Sequence, residues 1–318
     1  MKHILRNLAL LLVPVLAYFC LFVAFEPNNY FGLHPATDSD APISRLKDFK
    51  REPGNSIIIG DSRFAHFDMK LVEQTSGRSW QNLAFGGASL REGIDLLNWA
   101  LDENPDLEEV IFGFSFYTIN QGYDTDRMSN LEKTLNNPFA YLFNLEYNVN
   151  MLTNLQNQIT GRVDAPETGD WVYPQDYTAA DGTVYEVHTL LAEYPAALIT
   201  KCENWALNTS QLDRLYEAAA RCAERGVKLT VVLAPMADIV KTEVCDVYGE
   251  GGTITDQMET TVLPQLAEKS AELGLSVLDY EWSNRPDFDD DTQFYDGFHL
   301  DERYGLPQWT EQLFTDLG

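Results

Sequence analysis

Five short strand-like runs set the pattern of this chain, Ser56–Ile59, Ser79–Leu83, Glu109–Phe114, Lys228–Ala234 and Leu275–Asp279, all of them largely apolar except Ser79–Leu83. Runs of this length that are apolar without alternation read as strands buried on both faces. Stretches with helical spacing lie between them. Leu90, Ile94, Leu97 and Leu101 recur on one helix face up to about Glu103, and Leu212, Leu215, Tyr216, Ala219 and Cys222 do so from Thr209-Ser210 to Gly226. Further helices are expected after Ser62 to about Glu73, over 255–273, and over Gly305–Leu317. Strand and helix in succession predict an α/β fold, a three-layer flavodoxin-like parallel sheet with helices on both faces. In such sheets the working residues sit at the C-terminal strand ends.

The alternation breaks once. Residues 115–208 are rich in Asn, Tyr, Asp and Thr and read as a long insertion after the third strand, a cap or substrate-binding wall. A helix near Pro138–Gln158 and a small hairpin around Asp181–Tyr185 are expected within it.

The N-terminus differs in kind. Leu8–Phe25 is 18 residues without a charge, preceded by Lys2, His3 and Arg6 and followed by Glu26. That length is close to the minimum for a spanning helix of about 17–25 residues. Three readings are open, one of them a buried soluble helix. Length and flanks favour an uncleaved, single-pass anchor with the rest of the chain extracytoplasmic. A cleaved signal peptide is the competitor, with Val23-Ala24-Phe25 a poor cleavage site. The domain reading is an anchor over 1–26, a linker over 27–54 containing Pro27, Pro35 and Pro42, and one domain over 55–318.

Composition narrows the partners. The net charge is −27 over 318 residues. A nucleic-acid partner is excluded, since phosphate binding needs a basic surface. Cys20, Cys202, Cys222 and Cys245 match no zinc spacing. One disulfide among the last three, or buried free thiols, are both open. The acidic run Asp287, Asp289, Asp290 and Asp291 lacks the glycine and terminal glutamate of a calcium loop and reads as an exposed turn. No metal or cofactor is called for.

Two segments carry chemistry. Ile57-Ile58-Ile59-Gly60-Asp61-Ser62-Arg63 delivers a serine from a buried strand to the start of a helix, where backbone N–H groups and the positive dipole end favour an oxyanion. Ser62 as a plain helix cap is the bland alternative. A serine nucleophile needs a base. Of the five histidines, His299 in Tyr295-Asp296-Gly297-Phe298-His299 is best placed, after the last strand with Asp296 at i−3 to orient the ring. His66 follows Ser62 by one helical turn, and His188 lies in the insertion.

These segments resemble the SGNH/GDSL hydrolases over roughly residues 55–114 and 209–318. Gly60-Asp61-Ser62 is similar to the first block of that family. Asn82-Leu83-Ala84-Phe85-Gly86-Gly87-Ala88-Ser89 is similar to the second, and Asp296-x-x-His299 to the last. The resemblance implies Ser62 as nucleophile, His299 as base, Asp296 as orienter, and the N–H groups of Ser62 and Gly87 in an oxyanion hole. It departs at the third block, where Gly113-Phe114-Ser115-Phe116 puts Ser115 in place of the oxyanion asparagine. Asn82 or Asn120 could substitute as donor. Anchor, outward domain and NLAFGGAS stretch together resemble a membrane-anchored subset that includes DltD-type teichoic-acid D-alanylation proteins and AlgX/AlgJ-type polysaccharide O-acetylation proteins. That subset implies a polysaccharide or teichoic-acid-like acyl-ester substrate and a membrane-bound O-acyltransferase partner.

Other residues have two readings. Arg63 binds an anionic substrate group or is a solvated arginine. Asn208-Thr209-Ser210 is a glycosylation sequon or a helix cap. Trp171, Tyr173, Tyr177 and Tyr185 stack on sugar rings or pack the insertion. The expected function is an extracytoplasmic serine esterase or O-acyltransferase. The alternative is a non-catalytic accessory protein that retains the fold.

Overall fold

The computed structural model describes residues 2–161, 176–178 and 184–318, with side chains described at all of these except 2, 5, 6, 8, 9, 176–178 and 184–193. The chain forms two compact units, residues 1–51 with 129–168, and 52–128 with 169–318.

The second unit holds the sheet. Strands β1 (Ser56–Ile59), β2 (Gln81–Asn82) and β3 (Glu109–Phe114) precede a small antiparallel pair, β4 (Asp176–Thr178) with β5 (Val184–Glu186); β6 (Lys228–Leu233) and β7 (Ser276–Asp279) follow. The main sheet has the order β2-β1-β3-β6-β7, and every pairing is parallel. Without the small pair this is the flavodoxin-like order. β2 is two residues long rather than the five expected. The β4–β5 pair carries the expected hairpin, whose residues 179–183 lie outside the described set.

Alternation of side chains across the pleat explains the layers. Ile58, Ile111 and Val232 belong to a core with Phe64, Phe67, Trp80, Trp309 and Phe314. On the other face Ile59 and Phe112 close against Gly93. Gly93 lies in a helix capped by Ser89 and Glu92, each bonding the other's backbone N–H. That reciprocal cap fixes the helix start.

The helix after Ser62 is divided. A single turn, Ser62–Ala65, precedes a separate helix, Met69–Ser76, capped by Asp68 and ended by Gly77 in the left-handed region. The expected helix 255–273 is interrupted by a π turn at Met258–Val262. Pro264 lacks the N–H that would bond the carbonyl of Thr260, so the regular ladder cannot run through. The helix at Thr209–Arg225 is capped by Asn208 itself, whose side chain accepts from Gln211 N and Ser210 Oγ. The cap expected at Thr209 or Ser210 therefore sits one residue earlier. Cys202, Cys222 and Cys245 are buried free thiols.

The first unit corrects the linker. Residues 27–54 were expected to be a linker, but Pro42–Arg51 is a helix that buries Ile43, Leu46 and Phe49. Glu26 is enclosed, its carboxylate accepting from Asn28 N (2.9 Å) and Tyr141 Oη (2.7 Å). Tyr30 stacks on Tyr141 at 4.1 Å. The expected insertion 115–208 is not one body either, since 129–168 belongs to this unit and 169–208 to the sheet unit. The expected helix near Pro138–Gln158 is two, Pro138–Leu142 and Leu145–Thr160.

Leu8–Phe25 lies within a helix, Lys2–Phe25. The expected spanning helix is not found: among the described residues no helix is long and apolar enough to cross a membrane. The side chains of Leu8 and Ala9, which begin the apolar run, lie outside the described set.

Candidate active site

Ser62 stands at the C-terminal end of β1, and its turn is keyed into the sheet. A Cβ on Gly60 would meet the Phe64 ring at 2.7 Å, and one on Gly113 would meet it at 2.6 Å. Both positions must lack a side chain so that Phe64 can wedge between β1 and β3. Asp61 caps the turn, its carboxylate accepting from Arg63 N at 3.0 Å. The four-residue turn has little macrodipole. What it offers an oxyanion is the N–H of Ser62, which as first helical residue has no intrahelical acceptor.

His299 arrives on a tight loop closed by an antiparallel bridge between Phe294 and Leu300. Asp296 builds that loop and orients the ring together. Its Oδ1 accepts from Phe298 N (3.0 Å) and His299 N (2.7 Å), while its Oδ2 faces His299 Nδ1 at 2.8 Å. His299 Nε2 lies 2.6 Å from Ser62 Oγ. The Nδ1–H tautomer set by Asp296 leaves Nε2 as acceptor toward the hydroxyl. Burial disfavours the charged ring, but the charge and hydrogen bond of Asp296 outweigh it, and the His299 pKa is raised. Ser62, His299 and Asp296 thus meet as expected from the sequence.

The other expected site residues divide. Gly87 is on the right edge. Phe85 N donates to Gly60 O at 3.1 Å, which carries the Gly86-Gly87 turn past the Ser62 turn. Gly87 has φ +64, and its carbonyl accepts from Tyr123 Oη (2.5 Å) and Arg127 (2.7 Å). Arg127 is itself paired with buried Glu92 at 2.7 Å.

Asn82, Asn120 and Ser115 each bond backbone groups. The Asn82 amide donates to the carbonyls of Phe64 (2.8 Å) and Ala65 (3.3 Å), satisfying the end of the nucleophile turn. The Asn120 amide donates to Lys201 O at 3.1 Å. Ser115 is fully buried, its Oγ accepting from Thr118 N at 3.3 Å and its N–H donating to Thr118 Oγ1 at 3.1 Å. It closes the turn after β3.

Arg63 matches neither expected reading. It is buried, bonded to Asp61 at 3.0 Å and Glu281 at 3.2 Å, with Phe298 stacked against it at 4.2 Å. Two carboxylates already occupy its guanidinium, so it serves the scaffold rather than an anionic substrate.

Several neighbours were not foreseen. Glu281, just past β7, also accepts from Phe116 N (3.3 Å) and Trp282 Nε1 (2.8 Å). Burial pushes its carboxyl up to about 7 against the pull of Arg63. Tyr194 reaches the triad from the helix Val187–Cys202, stacked with Phe298 at 5.8 Å and edge-on to His299 at 5.8 Å. His66 faces Glu302 at 3.3 Å, and both line a small cleft with Ser62, His299, Leu300 and Leu306. Trp171 and Tyr173 lie outside the described residues, as do the side chains of Tyr177, Tyr185 and His188. Among the described residues no group of three or more His, Cys, Asp or Glu is placed to hold a metal ion.

Compared with known proteins, the chain matches no family model and no curated protein.

Proposed function

We propose that this chain is a serine esterase or O-acyltransferase of SGNH/GDSL type, acting outside the membrane on acyl esters of a cell-envelope polymer. One observation carries the reading: Ser62 Oγ, His299 and Asp296 form a continuous hydrogen-bonded line, 2.6 Å then 2.8 Å. Ser62 Oγ attacks the ester carbonyl while its proton passes to His299 Nε2. Asp296 stabilises the resulting imidazolium. The N–H groups of Ser62 and Gly87 receive the oxyanion. Collapse of the tetrahedral intermediate expels the alcohol, which takes the proton from His299 and leaves an acyl-Ser62. Water or a polymer hydroxyl then attacks, giving its proton to His299, and as the acyl–Ser62 bond breaks His299 returns that proton to Ser62 Oγ.

The membrane location rests on the apolar run Leu8–Phe25, of which Leu10, Leu11, Leu12 and Leu16 are exposed. An apolar surface of that kind favours contact with lipid. The partner in this reading is a membrane-bound O-acyltransferase.

The test is labelling of the chain by a serine-reactive phosphonate, with Ser62→Ala as the control. Labelling of wild type alone supports the assignment, and equal labelling of both chains removes it.

One observation favours a second reading, an accessory protein that binds polymer without acyl transfer. The Asn82 amide donates to two backbone carbonyls, and Asn120 and Ser115 are each tied to a backbone group, which argues against them as replacements for the oxyanion asparagine. Loss of one such donor costs about 10²–10³ in turnover. Unchanged polymer modification in cells carrying Ser62→Ala would select this second reading.

A further inference from the structure

The first unit has a second apolar face that the acyl-transfer reading does not use. Call the helices Lys2–Phe25 α1, Pro42–Arg51 α2, Ser62–Ala65 α3, Met69–Ser76 α4, Leu90–Glu103 α5, Met128–Leu135 α6, Pro138–Leu142 α7 and Leu145–Thr160 α8. Phe139 and Phe143 at α7 are 66% and 67% exposed, and stack on each other at 6.5 Å. On α8, Leu145, Val149, Leu152 and Ile159 are all exposed, Leu145 by 79%. At 100° per residue these four fall within an arc of about 80°. Soluble surfaces seldom gather large apolar side chains in this way.

Two observations point to the occupant. The face is continuous with the apolar run of α1: Phe143 meets Phe19 edge-on at 6.0 Å, and Asn154 of α8 donates to Phe25 O at 2.8 Å. Charge is partitioned, because the first unit has eight basic and eight acidic residues, and the whole net charge of −27 falls on the sheet unit. Helix α8 itself has no Lys or Arg and a single acidic residue, Glu146.

We propose that α7 and α8 are a second lipid-binding surface, lying in the membrane interface beside α1 with Phe139, Phe143, Leu145, Val149, Leu152 and Ile159 turned to the acyl chains. This rests on the reading of α1 as a membrane helix. The unit would then hold the bilayer by two contacts rather than one tether, and the neutral surface avoids the repulsion that anionic lipids exert on acidic protein.

The test is photolabelling of the full chain in phosphatidylcholine–phosphatidylglycerol vesicles containing a phosphatidylcholine with a diazirine on its acyl chain, followed by peptide mapping. The expected result is label on both 8–25 and 139–159, several-fold above the chain average. A Leu145→Ser/Leu152→Ser variant that still floats with vesicles should lose most of the 139–159 label. Label confined to 8–25 overturns the proposal while leaving the anchor intact. No label on either peptide, with a chain that does not float, overturns both. If 139–159 stays unlabelled in vesicles yet is shielded from a water-soluble carbene in native membranes, its occupant is a protein and the proposal falls.

Discussion

Arg63 Nη1 and Glu281 Oε1 lie 3.2 Å apart beneath the site although 218 residues separate them in sequence. Both side chains are buried, and Asp61 completes the group from the other side. Arg63→Met leaves two buried carboxylates without a counter-charge. Breaking such a group costs about 3–5 kcal/mol, measurable by urea unfolding. The sign with pH follows. Burial raises the Glu281 pKa and Arg63 is the largest force lowering it, so the variant's folded pKa rises further. A carboxyl raised in the folded state binds more protons there, and its stability contribution falls as pH climbs from the unfolded value through the folded one. The deficit should be smaller near pH ~5 than near pH ~8. A deficit that does not change with pH contradicts the arrangement.

Asp296→Asn tests the relay by its pH profile. His299 must be neutral to accept the Ser62 proton, so the rate rises with pH through the His299 pKa. Burial opposes protonation and Asp296 more than compensates. The variant should lose about 10⁴ in turnover, and the acid limb of kcat/KM should move to lower pH. For stability, the raised His299 pKa contributes fully below about pH 6.5 and is lost as pH rises through the folded value. Asp296→Asn should flatten that dependence.

Gly87→Ala addresses the oxyanion turn. Gly87 has φ +64, and a Cβ there would meet Tyr123 Oη at 2.9 Å. The left-handed conformation costs an L-residue about 1–2 kcal/mol. Turnover should fall with little change in KM. Adding Tyr123→Phe removes the close atom but not the backbone cost, so the double variant should recover only part of the loss. Full recovery would mean that the backbone conformation is unimportant.

Ser115→Ala separates a turn role from a donor role. Removing the hydroxyl leaves Thr118 N without its side-chain acceptor, at a cost of about 1–3 kcal/mol for a buried group. Turnover should stay within about twofold, since a lost oxyanion donor would cost about 10²–10³. A loss of the latter size would return Ser115 to the oxyanion hole.

The triad was legible because its parts are local. A Gly-Asp-Ser turn after a buried run and an Asp-x-x-His loop after the last strand each need only a few residues, and the parallel-sheet rule brings both to one edge. The parallel sheet followed from the alternation of strands and helices. Arg63 could not be assigned because its partner Glu281 is remote in sequence and carries no motif. Asn82 and Ser115 look like donors in a motif, but their hydrogen bonds are set by nearby backbone that only the folded chain reveals. The expected linker concealed a helix because Pro35, Pro42 and the Asn pair at 28–29 suggest loop, while Ile43, Leu46 and Phe49 share a face too short to stand out. Residues 129–168 are polar in composition, and nothing in their spacing announces that they pack with the N-terminus.

The Phe64 wedge has a consequence for how the site comes apart. Ser62 is held by a ring seated where Gly60 and Gly113 leave room between two central strands, so it moves only when those strands separate. His299 rides a loop outside the sheet, held by the Phe294–Leu300 bridge, the Asp296 carboxylate and the Ala237 N–H on Gly297 O. Loops open at lower free energy than the core strands of a sheet. On mild heating the base should leave first, while the serine keeps its place until the sheet parts. Reactivity toward a phosphonate would then fade before the tryptophan signal of Trp309, buried against Phe64 at 5.5 Å, reports any loss of the core.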